Sequence, residues 1–203
     1  IPGLPTPLNT QAVGTFTLTG DSWGYRVGGA YEIPEIAMRA SVIYSSRYDY
    51  ELSGPADGRA LGGFGALTRA TASSEIPQSV ELKVQSGIAP GWLAFGSIKW
   101  QEWSRIKSVA INGVISPSTG GPSGVAFEPF YRDGWTVSAG VGHVFTDMIS
   151  AAGQIGWDRG TSTTSGTQTD TWSLSGGLVI KPNENIEINL GGLIGILTGG
   201  TSV

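Results

Sequence analysis

The segment that decides the fold is Trp172-Ser173-Leu174-Ser175-Gly176-Gly177-Leu178-Val179-Ile180, followed by Lys181-Pro182-Asn183-Glu184-Asn185 and then Ile186-Glu187-Ile188-Asn189-Leu190-Gly191-Gly192-Leu193-Ile194. Trp172, Leu174, Gly176, Leu178 and Ile180 alternate with Thr171, Ser173, Ser175, Gly177 and Val179. Successive strand side chains point to opposite faces, so this period of two describes a strand with one apolar face and one small, polar face. Pro182 to Asn185 is turn chemistry. Beyond it Ile186, Ile188, Leu190, Gly192 and Ile194 resume the apolar face against Glu187, Asn189, Gly191 and Leu193. The segment reads as a hairpin.

The same pattern recurs along the chain. Trp23 to Tyr31 and Ile36 to Tyr44 alternate around a turn at Pro34-Glu35. Val80, Leu82 and Val84 oppose Glu81, Lys83 and Gln85, and Ala89-Pro90-Gly91 leads to Trp92, Ala94, Gly96, Ile98 and Trp100. On that strand Leu93 and Phe95 break the polar face. Trp135 to Phe145 alternates cleanly, Thr146-Asp147 turns the chain, and Ala151, Gly153, Ile155 and Trp157 follow. About eight strands result. Short turns near Pro34, Pro90, Asp147 and Asn183 alternate with long polar stretches over 53–74, 107–130 and 160–168, which read as loops. Short turns on one side and long loops on the other are the asymmetry of outer-membrane barrels, with the turns periplasmic and the loops outside. Trp23, Trp92, Trp100, Trp135, Trp157 and Trp172 lie near strand ends, where interfacial girdles place aromatic rings.

Composition agrees. Only 14% of the 203 residues are charged, and 32 are Gly. A soluble sandwich also alternates, but its outer face carries more charge than this. No apolar run approaches the roughly 18 residues of a membrane helix; Leu190 to Leu197 is short and Gly-rich. The absence of Cys excludes a disulfide framework and a thiolate site, and a net charge of −4 argues against a nucleic-acid partner. No Asp/Glu/His spacing suggests a metal, no cofactor is expected, and no catalytic constellation appears. His143, the single His, sits on the apolar face beside Phe145 and reads as an interfacial residue rather than a catalytic one.

Several motifs resemble a known family. Gly20-Asp21-Ser22-Trp23-Gly24-Tyr25 with Gly28-Gly29-Ala30-Tyr31-Glu32, Ile76-Pro77 before Val80-Glu81-Leu82, Pro90-Gly91-Trp92, Trp100-Gln101-Glu102-Trp103-Ser104, Arg132-Asp133-Gly134-Trp135 and Trp172-Ser173-Leu174-Ser175-Gly176-Gly177 are similar, in this order, to the FadL family of outer-membrane transporters. The Trp-x-x-Trp-Ser strand ending is the most specific of these. The resemblance implies an all-β fold, an antiparallel transmembrane β-barrel of 14 strands plugged by an N-terminal hatch. It also implies uptake of long-chain fatty acids or aromatic hydrocarbons by passive diffusion, in the bacterial outer membrane and without enzymatic activity. Residues 1–203 would then be one barrel region of a longer protein, without the hatch, the first strands or the closing strand. The N-terminus, Ile1-Pro2-Gly3-Leu4-Pro5, does not read as a signal peptide.

On the polar face, Arg26, Arg39, Lys83 and Lys99 would point into the lumen with Glu32, Glu81, Glu102 and Glu187. They would form either an ion-pair network or a hold on a substrate carboxylate. Leu93 and Phe95 would line an apolar pocket or pack against the plug. Leu61, Phe64 and Leu67, or Val125, Phe127 and Phe130, could form an outer capture site, although packing between loops is the simpler explanation. The expected partners are a hydrophobic small molecule, outer-membrane lipid and lipopolysaccharide, with the protein a monomer. Two other functions compete: a small structural or adhesion barrel, and a soluble ligand-binding β protein.

Overall fold

The computed structural model describes residues 15–57, 67–115, 122–128, 130–161, 163 and 169–198. Its strands are β1 (Thr15–Phe16), β2 (Arg26–Ile33), β3 (Met38–Ser45), β4 (Tyr48–Asp57), β5 (Leu67–Ile76), β6 (Ser79–Ala89), β7 (Trp92–Gln101), β8 (Val109–Ile115), β9 (Pro122–Phe127), β10 (Gly134–Thr146), β11 (Ile149–Asp158), β12 (Thr171–Asn183) and β13 (Ile186–Leu197). They form two antiparallel sheets belonging to two compact units.

The larger sheet has eight strands in the order β13-β12-β11-β10-β7-β6-β3-β2. These are the eight strands that periodicity reads. Four connections at one end are tight. Pro34–Ile36 makes a 3-10 turn closed by Ala37 in the left-handed region. Gly91, with φ 76, turns the chain between β6 and β7. Thr146 Oγ1 accepts from the backbone N–H of Met148 and Ile149. Asn183 Oδ1 accepts from Asn185 N–H at 3.0 Å. Short polar side chains that bond their own backbone fix such turns.

Register extends the alternation across the whole sheet. Val42, Leu82, Ile98, Val137, Trp157, Trp172 and Ile196 lie in one row. Val84, Gly96, Ala139, Ile155, Leu174 and Ile194 lie in the next. This apolar face is not covered: Leu174 is 64% exposed, Ile155 52% and Ile194 73%. A continuous apolar face on eight strands is far beyond what a soluble monomer leaves to water, and it suits hydrocarbon. Aromatic residues bound it. Trp100 pairs with Trp135 near one end and Trp92 with His143 near the other, eight residues along the strand. At about 3.4 Å per residue that is about 27 Å, or about 20 Å of depth for a strand tilted by about 40°. The apolar band of an outer-membrane barrel is of this order.

The second sheet, β1-β4-β5-β8-β9, lies in stretches that the sequence pattern assigns to loops. Tyr48↔Ile76 through Asp57↔Leu67 form an antiparallel ladder that takes in both ends of the supposed 53–74 loop, and β8 with β9 occupies much of 107–130. The misreading has a physical cause. β4 does alternate, Tyr48, Tyr50, Leu52, Gly54 and Ala56 against Asp49, Glu51, Ser53, Pro55 and Asp57, but beyond Leu52 its apolar side shrinks to Gly and Ala. β5 adds only Ala70, Ala72 and Ile76 among Ser, Thr, Arg and Glu, so few large apolar residues mark the period there. Ala56, Ala70 and Ala72 are its buried apolar side chains among the described residues. Strand β2 begins at Arg26, later than the alternation from Trp23 suggests, and Trp23 is 93% exposed.

Candidate functional site

The polar face of the eight-stranded sheet carries the candidate residues. Its composition changes from the loop ends of the strands to the turn ends. On β7 and β10 to β12 the first row is Lys99, Thr136, Asp158 and Thr171. The second is Ser97, Ser138, Gly156 and Ser173. The third is Phe95, Gly140, Gln154 and Ser175, and the fourth is Leu93, Gly142, Ala152 and Gly177. Charge gives way to hydroxyls, then to one amide and one hydroxyl beside an aromatic ring, then to apolar and small groups.

Two concavities sit on this gradient. Near the loop ends a cavity of about 530 Å³ is lined by Lys99, Trp103, Tyr131, Asp158, Arg159 and Thr171, among others. Thr136 Oγ1 donates to Asp158 Oδ2 at 2.6 Å within it. Near the turn ends an apolar groove of about 350 Å³ runs along Leu93, Gly142, Val144, Ala152, Gly177 and Val179, and His143, Ala151, Leu178 and Leu190 of the opposite parity also border it. The small residues leave the backbone bare and the groove smooth. Phe95 lies over Gly140, where an added Cβ would stand 2.6 Å from the ring and 2.5 Å from the Gly153 carbonyl oxygen. Only glycine lets the ring lie flat there.

The structure places all six expected site residues on this sheet but does not gather them. Lys83 Nζ lies 3.1 Å from Glu81 Oε1, and Arg26 Nη2 lies 4.0 Å from Glu81 Oε2, so two cations share one carboxylate. Arg39 stands apart, 3.1 Å from its cross-strand partner Glu32. The cations are well exposed, although Glu81 is only 21% so, and each pair contributes at most about 1 kcal/mol. Lys99 faces Glu81 in register yet makes no ion pair among the described residues, and it lines the charged cavity. Leu93 lines the groove, and Phe95 stands in the adjacent row. Of the residues considered for an outer capture site, Leu61 and Phe64 lie outside the described residues. Leu67, Val125 and Phe127 fall in strands, and Phe130 is 52% exposed with φ 45.

Sequence reasoning missed the residues that organise the loop ends. Asp133 accepts from Trp100 Nε1 at 3.1 Å and from Ser104 N–H at 3.2 Å. Asp170 accepts from Trp157 Nε1 at 3.1 Å, Gly160 N–H at 3.0 Å and Arg132 Nη2 at 3.2 Å. Arg132 Nε also donates to Gly160 O at 2.7 Å. The Trp100-to-Ser104 motif therefore alternates in role. Trp100 and Ser104 bind Asp133, Glu102 accepts from Gln78 Nε2 at 2.9 Å, and Gln101 and Trp103 line the cavity. Trp103 meets Tyr131 edge to face at 5.8 Å. Burial raises the Asp133 carboxyl, but hydrogen bonds from Ser104 and Trp100 and the nearby Arg159 charge outweigh it, leaving the pKa below the ordinary value.

This arrangement has a pH signature. A carboxyl whose folded pKa is lowered adds stability above its unfolded pKa and loses it as pH falls through the folded one. Asp133→Ala is expected to destabilise the intact protein by about 1–3 kcal/mol at neutral pH. The gap to wild type should close below about pH 4, near the ordinary Asp value. Denaturant titrations of both proteins across pH check this; a gap that stays constant into acid would contradict it.

Comparison with known proteins adds three findings. The family model for Outer membrane protein transport protein (OMPP1/FadL/TodX) matches residues 4–178. No curated protein matches the sequence. Among solved structures, the Pseudomonas aeruginosa FadL homologue is similar at 17% identity with a TM-score of 0.66, covering 85% of this chain and 43% of its own. The Pseudomonas putida toluene transporter TodX is similar at 17% identity with a TM-score of 0.57, over 85% of this chain and 43% of its own. The Ralstonia pickettii toluene transporter TbuX is similar at 14% identity with a TM-score of 0.57, over 92% of this chain and 47% of its own. At these identities the likeness carries the fold, and the chain spans less than half the length of each of these relatives.

Proposed function

Because this chain belongs to the FadL/TodX family of outer-membrane transport proteins, we propose that its eight-stranded sheet is part of the wall of a channel through which hydrophobic compounds enter by passive diffusion. In this reading the apolar face meets lipid, the polar face lines the lumen, and further strands close the wall beside β2 and β13. The observation that carries it is the graded lumenal face. A barrel that served only as a scaffold would fill its interior with side chains. Here the face thins to Gly and Ala along an apolar groove of about 350 Å³.

The cargo is an apolar molecule, with long-chain fatty acids and aromatic hydrocarbons both within the class. Its apolar part lies along Leu93 and Phe95. Of the four lumenal cations, Arg26, Arg39 and Lys83 are occupied by Glu81 or Glu32, whereas Lys99 has no ion pair among the described residues. Lys99 is therefore the cation that would meet a carboxylate, by a charge-assisted hydrogen bond.

Uptake assays on a deletion strain and its complemented form test the reading. Loss of the gene is expected to lower uptake of a labelled long-chain fatty acid or of toluene, and complementation to restore it. Lys99→Met should lower uptake of the acid by about tenfold and leave toluene unchanged, as expected for one charge-assisted contact of about 1.5–3 kcal/mol. Unchanged uptake of both compounds after deletion would overturn the transport reading.

A further inference from the structure

His143 is a polar side chain on the apolar face to which the transport reading assigns no role. His143 lies in the turn-end row with Trp92, Ala151, Leu178 and Leu190. Its ring stacks on Trp92 with centroids 4.2 Å apart and planes 26° apart, and it meets Phe145 nearly perpendicularly at 4.7 Å. Nδ1 lies 3.0 Å from the Gly91 carbonyl oxygen. A carbonyl only accepts, so Nδ1 carries the proton. In the neutral ring that bond selects the Nδ1–H tautomer and leaves Nε2 as an acceptor. Nε2 has no protein partner among the described residues. Gly91 permits the arrangement, since a Cβ there would stand 3.3 Å from His143 Cε1. Trp92 and Phe145 remain exposed around the ring.

An acceptor framed by two exposed aromatic rings, on a lipid-facing surface at headgroup level, fits a compact cation that can donate a hydrogen bond. Aromatic faces attract ammonium groups, and the imidazole adds a directional acceptor. We propose that Trp92, His143 and Phe145 form a site for the ammonium of an ethanolamine phospholipid in the leaflet on the turn side. The rings alone would accept a quaternary ammonium equally well; His143 Nε2 supplies the discrimination, because choline has no N–H to give.

The test uses the intact protein in nanodiscs of equal phosphatidylethanolamine and phosphatidylcholine with matched acyl chains. Lipids retained after mild detergent extraction are counted by native mass spectrometry. Wild type is expected to retain the ethanolamine lipid over the choline lipid by about threefold, the scale of one net hydrogen bond. His143→Phe keeps the aromatic cluster and should bring the ratio to that of the bulk. A second series needs no variant: N-methyl and N,N-dimethyl headgroups still carry an N–H and should be retained like ethanolamine, with the drop at choline alone. Equal retention of ethanolamine and choline by wild type, or an unchanged preference in folded His143→Phe, would overturn the site.

Discussion

Replacing Leu174 with Arg is expected to deplete the folded protein from the outer membrane, while Ser173→Arg, one residue earlier, leaves it in place. Leu174 stands between Ile155 and Ile194 on the apolar face and is 64% exposed there. Its row lies midway between the Trp100–Trp135 pair and the Trp92–His143 pair. An Arg at mid-depth on the lipid face of a barrel costs roughly 2–4 kcal/mol. Marginal stability cannot absorb that easily. Ser173 faces the other way, between Gly156 and Gly195, where the nearest partners leave room for a long side chain and water can solvate it. The measurement is the heat-modifiable band in outer-membrane fractions. Equal loss of both variants would mean that the faces are misassigned.

A second large effect concerns two adjacent glycines. Gly177 lines the lumenal groove, and Gly176 points to the lipid side with Gly153 and Gly192. An added Cβ meets only ordinary contacts at either position, 3.5 Å from Ala152 O at Gly176 and 3.5 Å from Leu190 O at Gly177. Trp is a good strand residue, so both variants keep the ladder. Gly177→Trp drives a large ring into the groove and is expected to lower uptake of hydrophobic cargo by about tenfold, a barrier of about 1.4 kcal/mol. Gly176→Trp adds one more apolar ring to the lipid face and should transport normally. Uptake by the two variants in the same deletion strain, normalised to folded protein, decides it. If Gly177→Trp transports like wild type, the groove is not on the path.

What the sequence made legible follows from the solvent on each side of a strand. The strands of the larger sheet separate an apolar medium from a polar one, so each of the eight carries a period of two, and Pro, Gly, Asn or Thr-Asp marks the tight turns between them. In β4 and β5 the contrast is weak beyond Leu52, where Gly54, Ala56, Ala70 and Ala72 oppose Ser53, Pro55, Arg69 and Thr71, and β8 and β9 are short, so these stretches looked like loop. Within the site, Arg26, Arg39, Lys83 and Lys99 were readable as one face, because parity alone assigns them. Their division was not. That Lys83 and Arg26 share Glu81 while Lys99 has no ion pair among the described residues depends on the register of β2, β3, β6 and β7 together. Asp133 and Asp170 were missed for a related reason. Their indole donors, Trp100 and Trp157, are assigned by parity to the apolar face, and nothing in one strand shows that its terminal ring bonds a carboxylate at the start of another. The resemblance carried by Trp100 to Ser104 marked the right segment without saying what it does.

Family membership removes the soluble ligand-binding reading, because the family is one of outer-membrane proteins. It leaves the cargo, which the uptake assays address, and the central structural claim that one face of this sheet meets lipid and the other an aqueous lumen. The sequence contains no Cys, so single Cys residues placed along β12 report their surroundings without background from this chain. With the intact protein in liposomes, positions 172, 174, 176 and 178 should be quenched by a lipid-phase probe, and 173, 175, 177 and 179 should react with a water-soluble thiol reagent. A strict alternation is the expected result. Water reactivity at both sets of positions, or lipid quenching at both, would contradict the barrel wall.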